Sequence, residues 1–384
     1  MRTLPDNPSL YHLRRQAKDL LGGLRESEPG TSLSDAQSAL AKQYGFRTWT
    51  DLKAEVDRNR GKADVADKTL AEAVAARYGL GKVTGPMRSV ARPDNIGQRW
   101  SLETEQGRWT VRTMDNWTPI TDAETDVALQ EAAAAEGIRI PAPVRSRTGA
   151  IVESVGGHSW RVYEWVNSGP PLAGPVSSKD AYAVGEILAK VHRLAMPVDR
   201  ISPWHARFLF RAQWPGLVAA AQARGVDWAP LLAKATPAMA EWETIGADFP
   251  VPAPVMCHNT LGPAKVWRGE GGRLIVVDWD YAGGQPPSWE LCDALMHFVH
   301  TASGHRAMID GYRAHAGSLP LLNLAMFRGA LTSLANYIAE QVETALNAHG
   351  GEHQRHADRS VRHLLSGRLP SPDRLEQRLA AAVS

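Results

Sequence analysis

The sequence predicts an α+β protein in which a small N-terminal helical unit precedes a β-rich lobe and a mainly helical lobe. Three observations lead to this fold class. Leucine and alanine recur at helical spacing in the first 60 residues. Short alternating runs typical of strands follow between residues 99 and 166. After the turn-rich segment S-G-P-P-L-A-G-P, helical spacing dominates again, and only R-L-I-V-V-D-W interrupts it.

The composition narrows the class of protein. The chain has 384 residues, of which 43% are hydrophobic and 22% charged, as in ordinary globular domains. A formal net charge of +2 gives no reason to expect a nucleic-acid or membrane partner. Two cysteines cannot form a disulfide framework, and no apolar run approaches the roughly 18 residues of a membrane span. We therefore expect a cytoplasmic protein.

Residues 1–62 form the first predicted unit. Ser9 is placed to cap a helix that carries an apolar face, and Gly22 and Gly23 are expected to weaken its end. Two further short helices follow before the charged segment R-N-R-G-K, which predicts a linker. The segment Y-G-F-R-T-W-T-D-L-K is similar to a short N-terminal module that precedes varied bacterial domains. One alternative is therefore a protein partner docked through residues 1–60.

Residues 63–166 form the predicted β-rich lobe. A helix over 69–78 leads into the runs R-W-S-L-E-T and R-W-T-V-R-T, which the turn E-Q-G joins into a hairpin. An alanine-rich helix over 123–136 precedes strands that end at residue 166. Residues 167–384 form the predicted helical lobe, and its one β hairpin ends near residue 279.

Four stretches carry a resemblance to a known family. They are W-R-V-Y-E-W-V (160–166), A-Y-A-V-G-E-I-L-A-K-V-H-R-L (181–194), V-M-C-H-N-T-L-G-P-A-K-V (255–266) and L-I-V-V-D-W-D-Y-A-G-G-Q-P-P-S-W-E-L (274–291). In this order and spacing they resemble the aminoglycoside phosphotransferase and choline-kinase-like family, a small-molecule branch of the protein-kinase-like fold. The resemblance implies a two-lobed kinase-like fold behind the N-terminal helical extension.

The resemblance also implies a nucleotide site with ATP and Mg²⁺ as cofactors. Arg112 falls where a strand cation holds the phosphates, with Asp126 or Glu124 as its acidic partner on the next helix. The remaining candidate cofactor-binding residues are Asn95 in a glycine-poor phosphate loop, and Glu164 and Val166 at the hinge.

The candidate metal ligands are Asp278 and Asp280. Asp278 follows a run of apolar residues, and a carboxylate at the end of a buried strand is costly without a metal or hydrogen-bond partners. Mg²⁺ prefers oxygen ligands of this kind. Asp280 is the weaker candidate, because many solvated turns carry an acid.

The catalytic loop departs from the family pattern His-x-Asp-x-x-x-x-Asn. The same positions read His258, Thr260 and Lys265. A hydroxyl replaces the general base, and an ammonium group replaces the second metal ligand. Losing a positioned base alone removes about 10²–10⁴-fold in rate. His258 has two interpretations, as a structural residue that holds the loop or as an acid or base.

The candidate substrate residues lie mainly in the helical insert that follows the hinge. Its tryptophans are Trp204, Trp214, Trp228 and Trp242, and they either line a pocket for a flat ligand or pack in the core. Glu290 is grouped with them, although it matches a family acid that steadies the catalytic loop from behind.

Three functions remain open at this stage. The first is a repurposed, pseudokinase-like protein that binds a small molecule or peptide in the interlobe cleft or runs a non-kinase reaction. There Lys265 replaces the second metal as a fixed positive charge. The second is an ATP- and Mg²⁺-dependent phosphotransferase acting on a small-molecule or peptide hydroxyl. The third is an interaction protein. The sequence leaves open whether the chain is an enzyme.

Overall fold

The elements follow the order that the sequence predicts: helices, then strands, then helices. The structure, a computed structural model, describes all residues except 1, 3, 6–7, 62, 92–97, 116–119, 211–212, 317, 348–350, 368 and 384. Asn95, a candidate phosphate-loop residue, lies outside the described residues.

The helices are α1 (Leu10–Arg25), α2 (Leu33–Gln43), α3 (Trp49–Asn59), α4 (Lys68–Tyr78), α5 (Ala123–Ala135), α6 (Ser178–Arg193), α7 (Pro203–Ala206), α8 (Trp214–Ala223), α9 (Ala229–Trp242), α10 (Pro287–His297), α11 (Ala302–Ala316), α12 (Arg328–Asn347), α13 (Gly351–Ser366) and α14 (Pro372–Val383). None of them, over the described residues, combines the length and apolar character that a membrane crossing requires.

The strands are β1 (Arg88–Ala91), β2 (Arg99–Thr104), β3 (Gly107–Thr113), β4 (Pro143–Val144), β5 (Glu153–Val155), β6 (His158–Glu164), β7 (Ser168–Pro171), β8 (Val255–Cys257), β9 (Val266–Gly269), β10 (Leu274–Val276) and β11 (Gly283–Gln285). The largest sheet is antiparallel, with the order β1-β2-β3-β6-β4 and β5 paired to β6. The predicted hairpin is β2–β3, in which Arg99 lies opposite Arg112. This register places both arginines at the same end of the sheet.

The helical lobe is built around two cores and a small sheet. One core joins α6, α10 and α11, and the other joins α8, α9, α12 and α13. The predicted β interruption is the β9–β10 hairpin, and β7 from the hinge pairs with β9. In this small sheet β9 therefore lies between β10 and the hinge strand β7.

The N-terminal helices pack on the rest of the chain. Leu13, Ala17 and Leu20 of α1 share a core with Ala173, just after β7. Arg268 of β9 links the two parts, because it binds Asp19 of α1 at 3.0 Å and also the carboxylate of Asp180 on α6. The apolar side of this unit is thus already covered within the chain. A protein partner at residues 1–60 stays a prediction.

Helix α1 continues past the point where the sequence predicts weakening. Ser9 caps its start as expected, but Gly22 and Gly23 both lie inside the helix. A Cβ atom on Gly23 would lie 2.2 Å from the carbonyl oxygen of Pro175, whereas a Cβ on Gly22 would meet nothing within 4 Å. Gly23 therefore permits close approach of two backbones rather than ending the helix.

Substitutions at Gly22 and Gly23 distinguish the effect of helix propensity on stability from the effect of helix docking. We expect Gly22→Ala to raise the free energy of unfolding by about 0.5–1 kcal/mol, because alanine is the better helix former. Gly23→Ala should lower it by about 1–3 kcal/mol, since the new methyl group collides with the Pro175 carbonyl. Urea unfolding of the two variants measures both values. Two changes of the same sign would contradict this docking.

Candidate functional site

The cleft between the large sheet and the helical lobe has a volume of about 1740 Å³. The large sheet contributes Arg99 and Arg112 to its wall, and the helical lobe contributes Thr260, Lys265 and Asp278. Most of the predicted catalytic and metal-binding side chains are therefore brought together in one place.

Asp278 lies at the centre of a cluster of cations. It follows β10 with a left-handed backbone (φ 65°), which turns its side chain out of the strand direction. Lys265 Nζ lies 2.5 Å from one carboxylate oxygen, while Arg99 binds the other oxygen and Arg112 approaches it to 3.5 Å. Burial opposes ionisation, but Arg99, Lys265 and Arg112 together hold the pKa of Asp278 well below its ordinary value.

Asp280 forms a second, fully buried group of contacts. One oxygen accepts a hydrogen bond from the Tyr163 hydroxyl at 2.6 Å, and the other binds Arg112. Arg161 of β6 lies 3.0 Å from the first oxygen. Burial raises the pKa of Asp280, but the two arginines outweigh it and lower the pKa overall. Both candidate metal ligands thus have cationic partners.

The predicted partner of Arg112 is wrong. Asp126 of α5 binds Arg161 through two hydrogen bonds of 2.9 and 2.8 Å, and Glu124 binds Arg145 near the surface. Asp126 is directed at β6 instead of β3, so Arg112 pairs with the acids after β10. Arg161 was not singled out from the sequence; its signal is an arginine inside an otherwise buried strand.

The catalytic loop is held by backbone contacts. Nε2 of His258 lies 3.0 Å from the carbonyl oxygen of Val277, which can only accept, so Nε2 carries the proton. Nδ1 then accepts the hydrogen bond of the Thr260 hydroxyl at 3.3 Å. Burial lowers the pKa of His258, so the imidazole is neutral at pH 7. These contacts agree with the structural interpretation of His258.

Glu290 lies behind the loop and not on the cleft wall. Its carboxylate accepts a hydrogen bond from the Asn259 amide at 2.5 Å and contacts Nε2 of His192 at 2.8 Å. Asn259 has a left-handed backbone (φ 66°), which these contacts hold in place. The grouping of Glu290 with the substrate residues is therefore corrected to a loop-positioning role.

The insert tryptophans divide into two groups. Trp204 of α7 lines the cleft. Trp214, Trp228 and Trp242 are buried in the core that α8 and α9 share with α12 and α13, and Trp228 donates to Asp358 at 2.7 Å. For these three the cleft-lining interpretation is wrong and core packing is right. The reason is that α12, α13 and the segment before α14 pack on the insert helices and enclose these three rings.

At the hinge, Val166 lines the cleft, whereas Glu164 is exposed at the end of β6 and does not line it.

Sequence reasoning missed His205 of α7. It is 1% exposed, lines the cleft, and its Nδ1 has no partner among the described residues. Burial lowers the pKa of His205. Asp293, Glu290 and a hydrogen bond with the Asn259 backbone raise it, but their effect is smaller. A lone histidine carries no motif by which the sequence could identify it.

Comparison with known proteins agrees with this architecture. Residues 89–322 match the phosphotransferase enzyme family, and residues 3–105 match a glyoxalase superfamily protein family. Homoserine kinase of Granulibacter bethesdensis is 24% identical over 72% of this chain and 88% of that kinase. Homoserine kinase of Xanthobacter autotrophicus is 25% identical over 72% of this chain and 87% of that kinase.

A solved structure shows the fold directly. Spectinomycin phosphotransferase, in complex with ADP and spectinomycin, superposes with a TM-score of 0.61 at 12% identity. The match covers 83% of this chain and 98% of that protein. The two-lobed kinase-like fold expected from the sequence is therefore confirmed.

Two carboxylates on α5 offer a matched test of the buried network. Asp126→Asn leaves the buried Arg161 charge with an amide in place of one of its two carboxylate partners, so we expect the free energy of unfolding to fall by about 3–5 kcal/mol. Glu124→Gln removes an exposed pair on the same helix and should cost less than about 1 kcal/mol. Chemical denaturation measures both, and equal effects would contradict the assignment of Asp126 to Arg161.

Proposed function

This chain belongs to the phosphotransferase enzyme family, and we propose that its cleft binds a nucleotide without a divalent metal. In this proposal Lys265, Arg99 and Arg112 supply the positive charge at the phosphates. The observation that carries the proposal is the contact of 2.5 Å between Lys265 and Asp278.

The residues present do not fit Mg²⁺. The position expected to hold a second metal ligand carries an ammonium group, which repels a cation. Both oxygens of Asp278 already bind cationic side chains, and Asp280 is divided among Arg112, Arg161 and Tyr163. A divalent ion would have to displace at least one buried ion pair to reach either carboxylate.

The charges of the cluster favour an anion instead. Arg99, Arg112, Arg161 and Lys265 contribute four positive charges, and Asp126, Asp278 and Asp280 contribute three negative charges, which leaves a net +1. Lysine and arginine N–H groups bind phosphate oxygens well. Lys265 is the most accessible of the three cations around Asp278, with 26% of its side chain exposed.

The catalytic loop supports binding rather than ordinary phosphoryl transfer. The Thr260 hydroxyl cannot take a proton from an acceptor at neutral pH, and its own hydrogen is donated to His258. Spectinomycin phosphotransferase holds ADP in its complex, which supports a nucleotide as the ligand class. We therefore propose a pseudokinase-like nucleotide-binding protein.

A second candidate function is phosphotransfer to a small-molecule hydroxyl. The matches to homoserine kinases favour it, and so does the neutral imidazole of His205 beside the loop. In this alternative His205 would replace the missing base. Release of ADP from ATP in the presence of homoserine, abolished by His205→Gln, would support this alternative over the pseudokinase proposal.

Calorimetric titration with ADP tests the proposed site. We expect binding in EDTA that Mg²⁺ does not strengthen. Lys265→Met should weaken binding by about 10–100-fold, because a charge-assisted hydrogen bond contributes about 1.5–3 kcal/mol. Lys82→Met, an exposed lysine that does not line the cleft, is the control and should bind as the unmodified protein does. Absence of ADP binding, or binding that requires Mg²⁺, would contradict the proposal.

Restoring the family residues should restore metal dependence. In Lys265→Asn the repulsive ammonium is gone and one oxygen of Asp278 is released, so we expect Mg²⁺ to strengthen ADP binding in this variant. Adding Thr260→Asp should then permit detectable ATP turnover. The same titrations and an ADP-release assay measure these gains. If Lys265→Asn stays insensitive to Mg²⁺, Lys265 is not what excludes the metal.

A further inference from the structure

A second group of cations lines the cleft at its other end, and it comes from the N-terminal helical unit. The cavity that holds Lys265 and Asp278 continues along the hinge to Arg2, His12 and Arg15. Over the whole lining, seven lysines and arginines face four carboxylates. This end of the cleft therefore has its own positive charge, separate from the cluster around Asp278.

Arg15 of α1 is directed at the hinge strand. Its Nη1 lies 3.5 Å from the position that a Cβ on Gly169 of β7 would occupy, so the guanidinium lies against this glycine. Asp19, a carboxylate one turn further along α1, is occupied by Arg268. Arg15 has no ion-pair partner among the described residues, and its N–H groups are available to a ligand in the cleft.

Arg2 is a second arginine at this end of the cleft that an anion would stabilise. Both terminal nitrogens of its guanidinium are shielded from solvent and have no hydrogen-bond partner among the described residues. The group lies 5.6 Å from the centre of the Tyr44 ring. Burial lowers the pKa of Arg2, because a charged guanidinium that is buried without a counter-charge loses its hydration free energy. A bound anion would remove that cost.

The two cationic ends are a fixed distance apart. Lys265 directly precedes β9, and Gly269 at the far end of β9 pairs with Ser168 of β7, beside Gly169. Four strand residues span roughly 13 Å. Val166 and Trp267 line the cleft between these ends and offer apolar surface. Glu270 is the acid at this end; it is exposed and follows β9.

We propose that the ligand is a nucleotide with a further phosphate on its ribose, and that Arg15 and Arg2 bind this second phosphate. The inference rests on the proposed function, because the 5′-phosphates are assigned to Lys265, Arg99 and Arg112. The ribose, which carries both phosphates, then lies between the two cationic ends, and the base lies against the hinge. The N-terminal unit is, on this view, part of the ligand site.

Two nucleotides that differ by one phosphate test this assignment. Calorimetry compares AMP with adenosine 3′,5′-bisphosphate on the full chain, with ADP as the reference ligand. We expect the added phosphate to strengthen binding about tenfold, the effect of one charge-assisted contact. Arg15→Gln should abolish this difference and leave the affinity for AMP unchanged. Arg2→Gln should also reduce the difference in affinity between the bisphosphate and AMP.

Arg14→Gln is the matched control. Arg14 is an exposed neighbour on α1 that does not line the cleft, so this variant should keep the full difference between the two nucleotides. Equal affinities of the unmodified protein for AMP and the bisphosphate would overturn the inference. So would an Arg15→Gln variant that keeps the difference or loses affinity for both ligands equally. If ADP itself does not bind, the proposed function has failed and not only this extension.

Discussion

The carboxylate of Asp278 joins the large sheet to the helical lobe, and the site depends on how its charge is neutralised. Arg99 and Arg112 come from adjacent strands of the large sheet, while Lys265 and Asp278 flank the β9–β10 hairpin. Burying these charges costs desolvation free energy, which their mutual contacts offset only when the geometry is kept. The network therefore fixes the relative position of sheet and hairpin more than it adds stability.

The same constraint explains the chemistry that we assign to the cleft. A metal-dependent phosphotransferase needs Asp278 free to ligate a divalent ion and a carboxylate to act as base. Here protein cations bind Asp278, and the base position carries a hydroxyl. In the proposed function, the positive charge at the phosphates is a permanent part of the protein, which suits recognition of an anion. The N-terminal unit continues this cationic lining to the far end of the cleft.

The sequence predicts the fold and the centre of the site better than its periphery. Lys265 directly precedes β9 and Asp278 follows β10 of the same hairpin, so local spacing brings them together. The sequence misassigns the partner of Asp126, because the direction of α5 relative to the sheet depends on packing that a local pattern does not encode. Trp214, Trp228 and Trp242 were ambiguous for a related reason: helical spacing identifies an apolar face, but not which helices cover it. The proposed role of α1 in the cleft cannot be predicted from the sequence, since it depends on docking at Ala173 and Arg268, far away in the chain.

Direct detection of a bound metal tests the central claim most sharply. Mn²⁺ can replace Mg²⁺ as a spectroscopic probe, and electron paramagnetic resonance separates free from bound ion in a mixture of protein, ADP and Mn²⁺. We expect the unmodified protein to add no Mn²⁺ site beyond the binding of Mn²⁺ to ADP itself, whereas the Lys265→Asn variant adds one. A tight Mn²⁺ site in the unmodified protein with ADP would show that Asp278 still ligates a metal and would contradict the account.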